Sequence, residues 1–341
     1  MDKIYPIGKL PTEDLERLLQ RYAHLTDPRI LVGPGIGQDA TVISFGPKAL
    51  VVKSDPITFA TERIGWYAVN INANDIAAMG ASPKWFMATL LLPENATTPA
   101  LVERIFSGLA DACIELGVTL CGGHTEISYG LTRPLIVGHM LGETDAESVV
   151  SAAGALIGDD IILTKGIAIE GTALIATEKA ALLEKEFSFA FLETCRNYLQ
   201  TPGLSVVKDA RLAMETGGVH AMHDPTEGGL ATGLRELAIA AGVGLLIDAD
   251  QILLLPEAKI LCDRFGLDPM GTIASGALII ASDPAVSPAI LSRLSSEGIS
   301  ASVIGTAREP QFGVKLRRDG TIVDLPTFNR DEVGKVFEKI E

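Results

Sequence analysis

Apolar residues recur along the chain in two rhythms, a three-to-four-residue spacing and short unbroken or alternating runs, and the two follow one another throughout. That pattern predicts a mixed α/β (α+β) protein. Leu15, Leu18, Leu19 and Tyr22 line one face of a helix over residues 12–24, with Thr12 as its expected cap. Strands are expected over 41–45, over 49–52 and stopping at Lys53-Ser54-Asp55-Pro56, and over 85–92, 118–121 and 135–141. Helices are expected over 66–79, ending at Gly80, and over 99–116. Residues 142–158 are small and acidic, and the rhythm restarts with a strand over 160–164. Beyond it lie expected helices near 171–183, 205–216, 227–241, 257–265 and 288–297, interleaved with strands near 219–222, 244–247, 276–281, 301–305 and 313–316. The break predicts two mixed domains, 1–148 and 149–341.

Composition narrows the function classes. With 47% hydrophobic and 21% charged residues the chain is folded rather than disordered. Its formal charge of −15 repels phosphodiester backbones and anionic lipid, so neither nucleic acid nor a membrane surface is an expected partner. Aromatic residues, at 5%, are too few for a base-stacking platform. No apolar run reaches the roughly 18–20 residues of a membrane span, and Met1-Asp2-Lys3-Ile4-Tyr5-Pro6 lacks the features of a secretory signal. Cys113, Cys121, Cys195 and Cys262 form no CxxC pair and read as buried, reduced thiols of a cytoplasmic protein.

Five stretches carry groups suited to chemistry. In Gly33-Pro34-Gly35-Ile36-Gly37-Gln38-Asp39-Ala40 the glycines either turn the chain or let backbone N–H groups approach an anion. A dinucleotide fingerprint is excluded, because the β-branched Thr41-Val42-Ile43 that follows reads as a strand and not a helix. Asp55, before Pro56, is either a turn residue or a ligand at the carboxyl end of a strand. Asn70, Asn72, Asn74 and Asp75 sit in an otherwise apolar helix with Val69, Ile76 and Met79. Poor helix formers in that setting demand a ligand or a hydrogen-bond network. Cys121-Gly122-Gly123-His124-Thr125-Glu126 reads as a strand entering a glycine turn, followed by two polar contacts for metal or phosphate or by two solvated side chains. His223-Asp224-Pro225-Thr226-Glu227-Gly228-Gly229-Leu230 follows a strand and opens a helix, whose N-terminus favours an anion unless Asp224 or Thr226 simply caps it.

In order and spacing these stretches resemble the ATP-dependent aminoimidazole ribonucleotide (AIR) synthetase, or PurM-like, superfamily. That group includes selenophosphate synthetase, thiamine-monophosphate kinase and the hydrogenase maturation protein HypE. The matching pieces are Gly37-Gln38-Asp39-Ala40, Ser54-Asp55, Asn74-Asp75-Ile76-Ala77-Ala78-Met79-Gly80-Ala81-Ser82-Pro83, Gly122-Gly123-His124-Thr125-Glu126 and Asp224-Pro225-Thr226-Glu227-Gly228-Gly229-Leu230. They cover nearly the whole chain and are most similar to those of HypE-like members. The resemblance implies a PurM-like N-terminal sheet domain that pairs with a second subunit and a PurM-like C-terminal domain folded over it. ATP would lie in the cleft between them at the homodimer interface. It further implies Mg2+ held by Asp39, Asp55, Asp75 and Glu126, with Asn74, Gly37, Gly122, Gly123, Asp224, Thr226, Gly228 and Gly229 around the nucleotide. Asp75, His124 and Lys9, the last a cation placed to reach a small-molecule substrate, would carry the chemistry. Carboxylates so gathered repel by about 4 kcal/mol per pair at 4 Å and a dielectric near 20, and bound Mg2+ would relieve this.

The expected activity is transfer of the γ-phosphate to an oxygen of a small amide- or carboxylate-like substrate. The alternatives are a nucleotide-binding regulatory or maturation partner with little catalysis, and a thiamine-monophosphate-type kinase. A maturation protein is a further expected partner. Three departures from the pattern bear on this. Gln38 stands where kinase-like and HypE members carry the first Asp of a pair, and His124 where they carry Asp. The chain ends Phe337-Glu338-Lys339-Ile340-Glu341, without the terminal cysteine on which HypE dehydrates its substrate.

Overall fold

The computed structural model describes residues 5, 9–57 and 62–337 and resolves them into two compact units. Of these residues, one unit contains those within 25–33 and 39–149, and the other contains 5, 9–24, 34–38 and 150–337. The expected boundary assigns residues 1–148 to the N-terminal domain, whereas residues 9–24 and 34–38 group with residues 150 onward. Two contacts within that unit show why. The ammonium of Lys9 donates to Thr226 Oγ1 at 3.2 Å, and Gly37 lies so close to the Glu236 carbonyl that a Cβ there would be 2.5 Å from its oxygen.

The first helix, α1 (Thr12–Tyr22), starts after Pro11, and Thr12 makes no side-chain cap. The N-terminal unit then runs β1 (Ile30–Val32), β2 (Thr41–Phe45), β3 (Lys48–Ile57), α2 (Ile64–Ala78), β4 (Ser82–Pro93), α3 (Pro99–Leu116), β5 (Thr119–Ser128) and β6 (Leu135–Asp145). Its described strands form one sheet in the order β1-β2-β3-β6-β4-β5. Neighbours are antiparallel except β4 and β5, which α3 joins as a parallel crossover. Helix α2 packs between this sheet and α3 and is buried at every position, which explains why apolar residues occur on all its sides, Asn70, Asn72, Asn74 and Asp75 excepted. It sits close because β6 presents glycines: a Cβ at Gly138 would lie 2.3 Å from Asn72 Nδ2, and one at Gly142 would lie 2.3 Å from Ile76 Cγ2.

Two strands run further than the pattern suggested. β3 continues through Lys53-Ser54-Asp55-Pro56. β2 pairs with it only as far as Val52, and proline, which lacks an N–H, is tolerated where a strand has a single described neighbour. β5 continues through Gly122-Gly123-His124-Thr125-Glu126, so this segment is sheet edge rather than a turn and loop. Gly123 faces Ala88, and a Cβ there would be 2.0 Å from the Ala88 oxygen. Cys121 on β5 is exposed, contrary to expectation, while Cys113, Cys195 and Cys262 are buried.

The C-terminal unit continues with β7 (Asp160–Thr164), α4 (Ile169–Glu178), α5 (Ala180–Leu183), α6 (Phe189–Arg196) and α7 (Val207–Thr216). Next come β8 (Val219–His223), α8 (Gly229–Ala241), β9 (Gly244–Asp248), α9 (Pro256–Phe265) and β10 (Ile279–Ser282). It closes with α10 (Ser287–Ser296), β11 (Ala301–Arg308), β12 (Val314–Arg318), β13 (Thr321–Asp324) and α11 (Gly334–Phe337). The described strands are ordered β13-β12-β9-β11-β7-β10-β8, with β12 and β9 parallel and the other neighbours antiparallel. Leu230, Leu234 and Leu237 of α8 pack with Ile161, Leu163, Leu245, Ile247 and Ile279 in the core. Among the described residues, no helix is long and apolar enough to cross a membrane.

Candidate functional site

On the α2 side of the N-terminal sheet, charged residues of β3 and α2 come together. Residues two apart on a strand share a face, so Lys53 and Asp55 of β3 project together. Asp75 of α2 meets them: the Lys53 ammonium lies 2.7 Å from Asp75 Oδ1. The other oxygen, Asp75 Oδ2, is buried and has no hydrogen-bond partner. Burial pushes the Asp75 carboxyl up to about 7; Lys53 opposes the shift, while Asp55 and Asp39 add to it. Burial also disfavours the Lys53 ammonium, but Asp75, Asp55 and Asp39 together outweigh that and keep it charged well above the usual lysine range. Asp39, just before β2, is buried, as is Asn74 beside Asp75.

The asparagines of α2 have distinct duties. Asn70 Nδ2 returns a hydrogen bond to the Trp66 carbonyl at 3.0 Å. Asn72 Oδ1 accepts from the Asp55 N–H at 3.0 Å, and its Nδ2 donates to the carbonyls of Asp55 at 3.3 Å and Ala68 at 2.8 Å. The polar residues that contradicted the helix pattern therefore serve partly as a frame that fixes where Asp55 emerges.

His124 and Glu126 are placed elsewhere. Along the ladder Asp55 stands opposite Gly138, Gly138 opposite Ala88, and Ala88 opposite Gly123. His124 and Glu126, one and three positions on, therefore point to the sheet face away from α2. They lie 3.4 Å apart, with side chains 68% and 58% exposed. Within one chain, strand alternation separates them from Asp39, Asp55 and Asp75, so the expected set of four metal ligands does not assemble in a single subunit. Gly122 and Gly123 belong to the same edge strand.

In the C-terminal unit, Asp224 is buried just beyond β8, and the helix cap is Gly228 in a left-handed conformation, not Asp224 or Thr226. The expected anion at this helix start is supplied by the chain itself. Asp331 Oδ2 accepts from the Gly228 N–H at 2.7 Å, and its Oδ1 accepts from Val333 at 2.8 Å and Ile273 at 3.2 Å. Burial raises the Asp331 carboxyl to about 6 even though these three N–H groups favour its charge. A Cβ at Gly229 would lie 2.5 Å from the Met270 oxygen, so glycine there admits close packing of the 270–272 segment.

Lys9 has a second role besides Thr226. Its ammonium is 3.7 Å from Glu236 Oε1, whose other oxygen lies 3.0 Å from His223 Nε2. Burial opposes the charge on Glu236, yet His223 and Lys9 hold its carboxyl down at about 2. Sequence reasoning assigned no role to Lys53, Glu236 or Asp331. Lys53 had a usable signal, a lysine two residues before an aspartate on one strand face, whereas Asp331 is joined to Gly228 only by the fold.

Comparison with known proteins agrees with this architecture. Residues 37–144 match the AIR synthase related protein N-terminal domain and residues 157–316 match its C-terminal domain. A hydrogenase expression/formation protein of Methanocaldococcus jannaschii is 28% identical over 333 residues, 94% of each chain. Carbamoyl dehydratase HypE of Cupriavidus necator is 30% identical over 271 residues, covering 79% of this chain and 70% of the relative. Among solved structures, AaThiL complexed with AMPPCP and TMP superposes with a TM-score of 0.74 at 22% identity, covering 97% of this chain and 99% of that one.

Proposed function

The chain belongs to the AIR synthase related family, and on that premise we propose that it is an ATP- and Mg2+-dependent phosphotransferase. Its acceptor would be an oxygen of a small amide- or carboxylate-like substrate. The observation that carries this reading is that Asp55 and Asp39 lie near enough to help raise the Asp75 carboxyl, one oxygen of which is buried and has no hydrogen-bond partner. An all-carboxylate donor set of this kind suits a hard divalent cation. Magnesium, when bound, would neutralise charge on the triphosphate as the γ-phosphoryl group moves. The protein's own part is to hold the ligands ready: Asn72 fixes Asp55, and burial in α2 fixes Asp75.

An amide-like acceptor is supported by the carbamoyl dehydratase relative. The thiolate chemistry of that family is not supported at Cys262, which is buried and whose thiol burial pushes up to about 11. Likeness to the AMPPCP and TMP complex favours a second reading, a thiamine-monophosphate-type kinase, and phosphate transfer to that compound would establish it. The face of the N-terminal sheet turned away from α2 leaves Leu50, Val52, Met87, Leu91, Val137 and Leu141 partly accessible, beside the edge strand β5. Such a surface suits burial against a second copy, and His124 and Glu126 on it would then serve the partner's nucleotide. Light scattering on the eluting protein should give twice the 36.0 kDa chain mass.

Asp75→Asn tests the main reading. We expect Mg2+-dependent ATP turnover to fall at least ~100-fold with the fold intact, consistent with loss of charge stabilisation in transfer. Unchanged turnover would overturn the assignment, and tight ATP binding by the wild type with no phosphate release would favour a non-catalytic maturation partner.

A further inference from the structure

We propose that Asp331 is a proton-releasable clasp: one proton taken from solvent onto Oδ2 frees the turn that opens α8, while the C-terminal segment stays fastened through Oδ1.

The segment around Asp331 is strapped to residues 268–273. Glu332 donates its N–H to the Gly271 carbonyl at 3.0 Å, and its Oε2 accepts from the Asp268 N–H at 3.0 Å. A Cβ on Gly271 would lie 2.5 Å from the Phe328 ring. Asp331 extends this hold to α8, and its two oxygens are loaded unequally. Among the described residues, Oδ1 accepts from both Ile273 and Val333, and Oδ2 from Gly228. A proton therefore goes to Oδ2, where it costs one hydrogen bond and not two. There the new O–H faces the Gly228 N–H, donor against donor, and that bond breaks. Gly228 caps α8 in a left-handed conformation, so the turn leading into the helix loosens while the strap stays in place.

The surroundings favour the exchange. Asp331 is 7% exposed, and Glu227, next to Gly228, repels its charge. Asp268 turns its Oδ1 to the Met270 N–H. Of the cations, Lys335 pairs with Glu332 and Lys9 with Glu227, and Arg330 adjoins Asp331 in sequence. Burial, aided by Glu227, holds the carboxyl at about 6, against 3.8 for the free side chain. The native state thus binds more protons than the unfolded state between these values, and acid stabilises the fold through this group. The same proton loosens one local bond. A merely structural aspartate would not combine these opposite signs.

The test is amide exchange of the full chain, read residue by residue by NMR between pH 7.5 and pH 5 and corrected for its intrinsic pH dependence. In the wild type, protection at Gly228 should fall about tenfold, the weight of one hydrogen bond, while Ile273 and Val333 keep theirs. The midpoint should lie near pH 6. Asp331→Asn, whose Nδ2 stands where the acid's O–H would, should show the released Gly228 at both ends of that range. The melting temperature of the wild type should rise relative to that variant as pH falls from 7 to 4. Equal protection of Gly228 at pH 7.5 and pH 5 would overturn the proposal, as would joint loss at Gly228, Ile273 and Val333. A constant difference in melting temperature would show that Asp331 takes up no proton, and would overturn it as well. Should Asp331→Asn fail to fold, the wild-type exchange profile decides by itself, since it needs no substitution.

Discussion

Asn72 grips Asp55 by its main chain, accepting from its N–H at 3.0 Å and donating to its carbonyl at 3.3 Å. A helix side chain thereby completes the hydrogen bonding of a strand residue whose own side chain belongs to the carboxylate cluster. Replacing Asn72 with Leu should leave those two groups unpaired and cost roughly 2–4 kcal/mol by urea denaturation. It should also raise the Mg2+ concentration needed for half-maximal nucleotide binding. Asn72→Asp keeps an acceptor but loses the donor, and should fall between Leu and wild type in stability. Equal stability of wild type and Asn72→Leu would show that the grip is dispensable.

Asp331 closes the start of α8 from a distance of 103 residues along the chain. Asp331→Ala strips the acceptor from the N–H groups of Gly228, Ile273 and Val333. At ~1–3 kcal/mol for each buried group left unpaired, the variant should lose several kcal/mol of stability. Amide hydrogen exchange should accelerate first at Gly228 and Ile273, and protection retained there would count against this role.

Glu236 gives a pH dependence with a defined sign. Its folded carboxyl titrates near 2, against 4.5 for the free side chain. The native state therefore binds fewer protons than the unfolded state between these values, and the stabilisation is complete above pH 4.5 and lost as pH falls towards 2. Wild type and Glu236→Gln should differ most in melting temperature at pH 6, with the gap closing through that window. A gap that stays constant from pH 6 to pH 3 would rule out His223 and Lys9 as the cause.

The alternation of periods was enough to place most helices and strands, because hydrophobic spacing is a local property that each element imposes on itself. The pairing of Pro99–Leu116 with flanking strands was legible in this way, and so was the polar anomaly at Asn70, Asn72, Asn74 and Asp75. The short strand β1 and the exposed strand β13 were not, since three residues show no period and an exposed strand shows no apolar face. Likewise the glycine pair at 122–123 looked like a turn, and only its partner strand required it to be extended.

Sequence by itself thus determined which residue types could serve a metal and a phosphate, and the order in which they occur. Tertiary structure alone decided which of them meet. Lys53, Asp55 and Asp75 converge because a strand face and a buried helix are packed together through Gly138 and Gly142. His124 and Glu126, equally acceptable by type, are turned away by the two-residue alternation of an edge strand whose register is set by its neighbour. Chemical identity is written residue by residue, but proximity depends on registers and packing distances fixed by segments far apart in the chain.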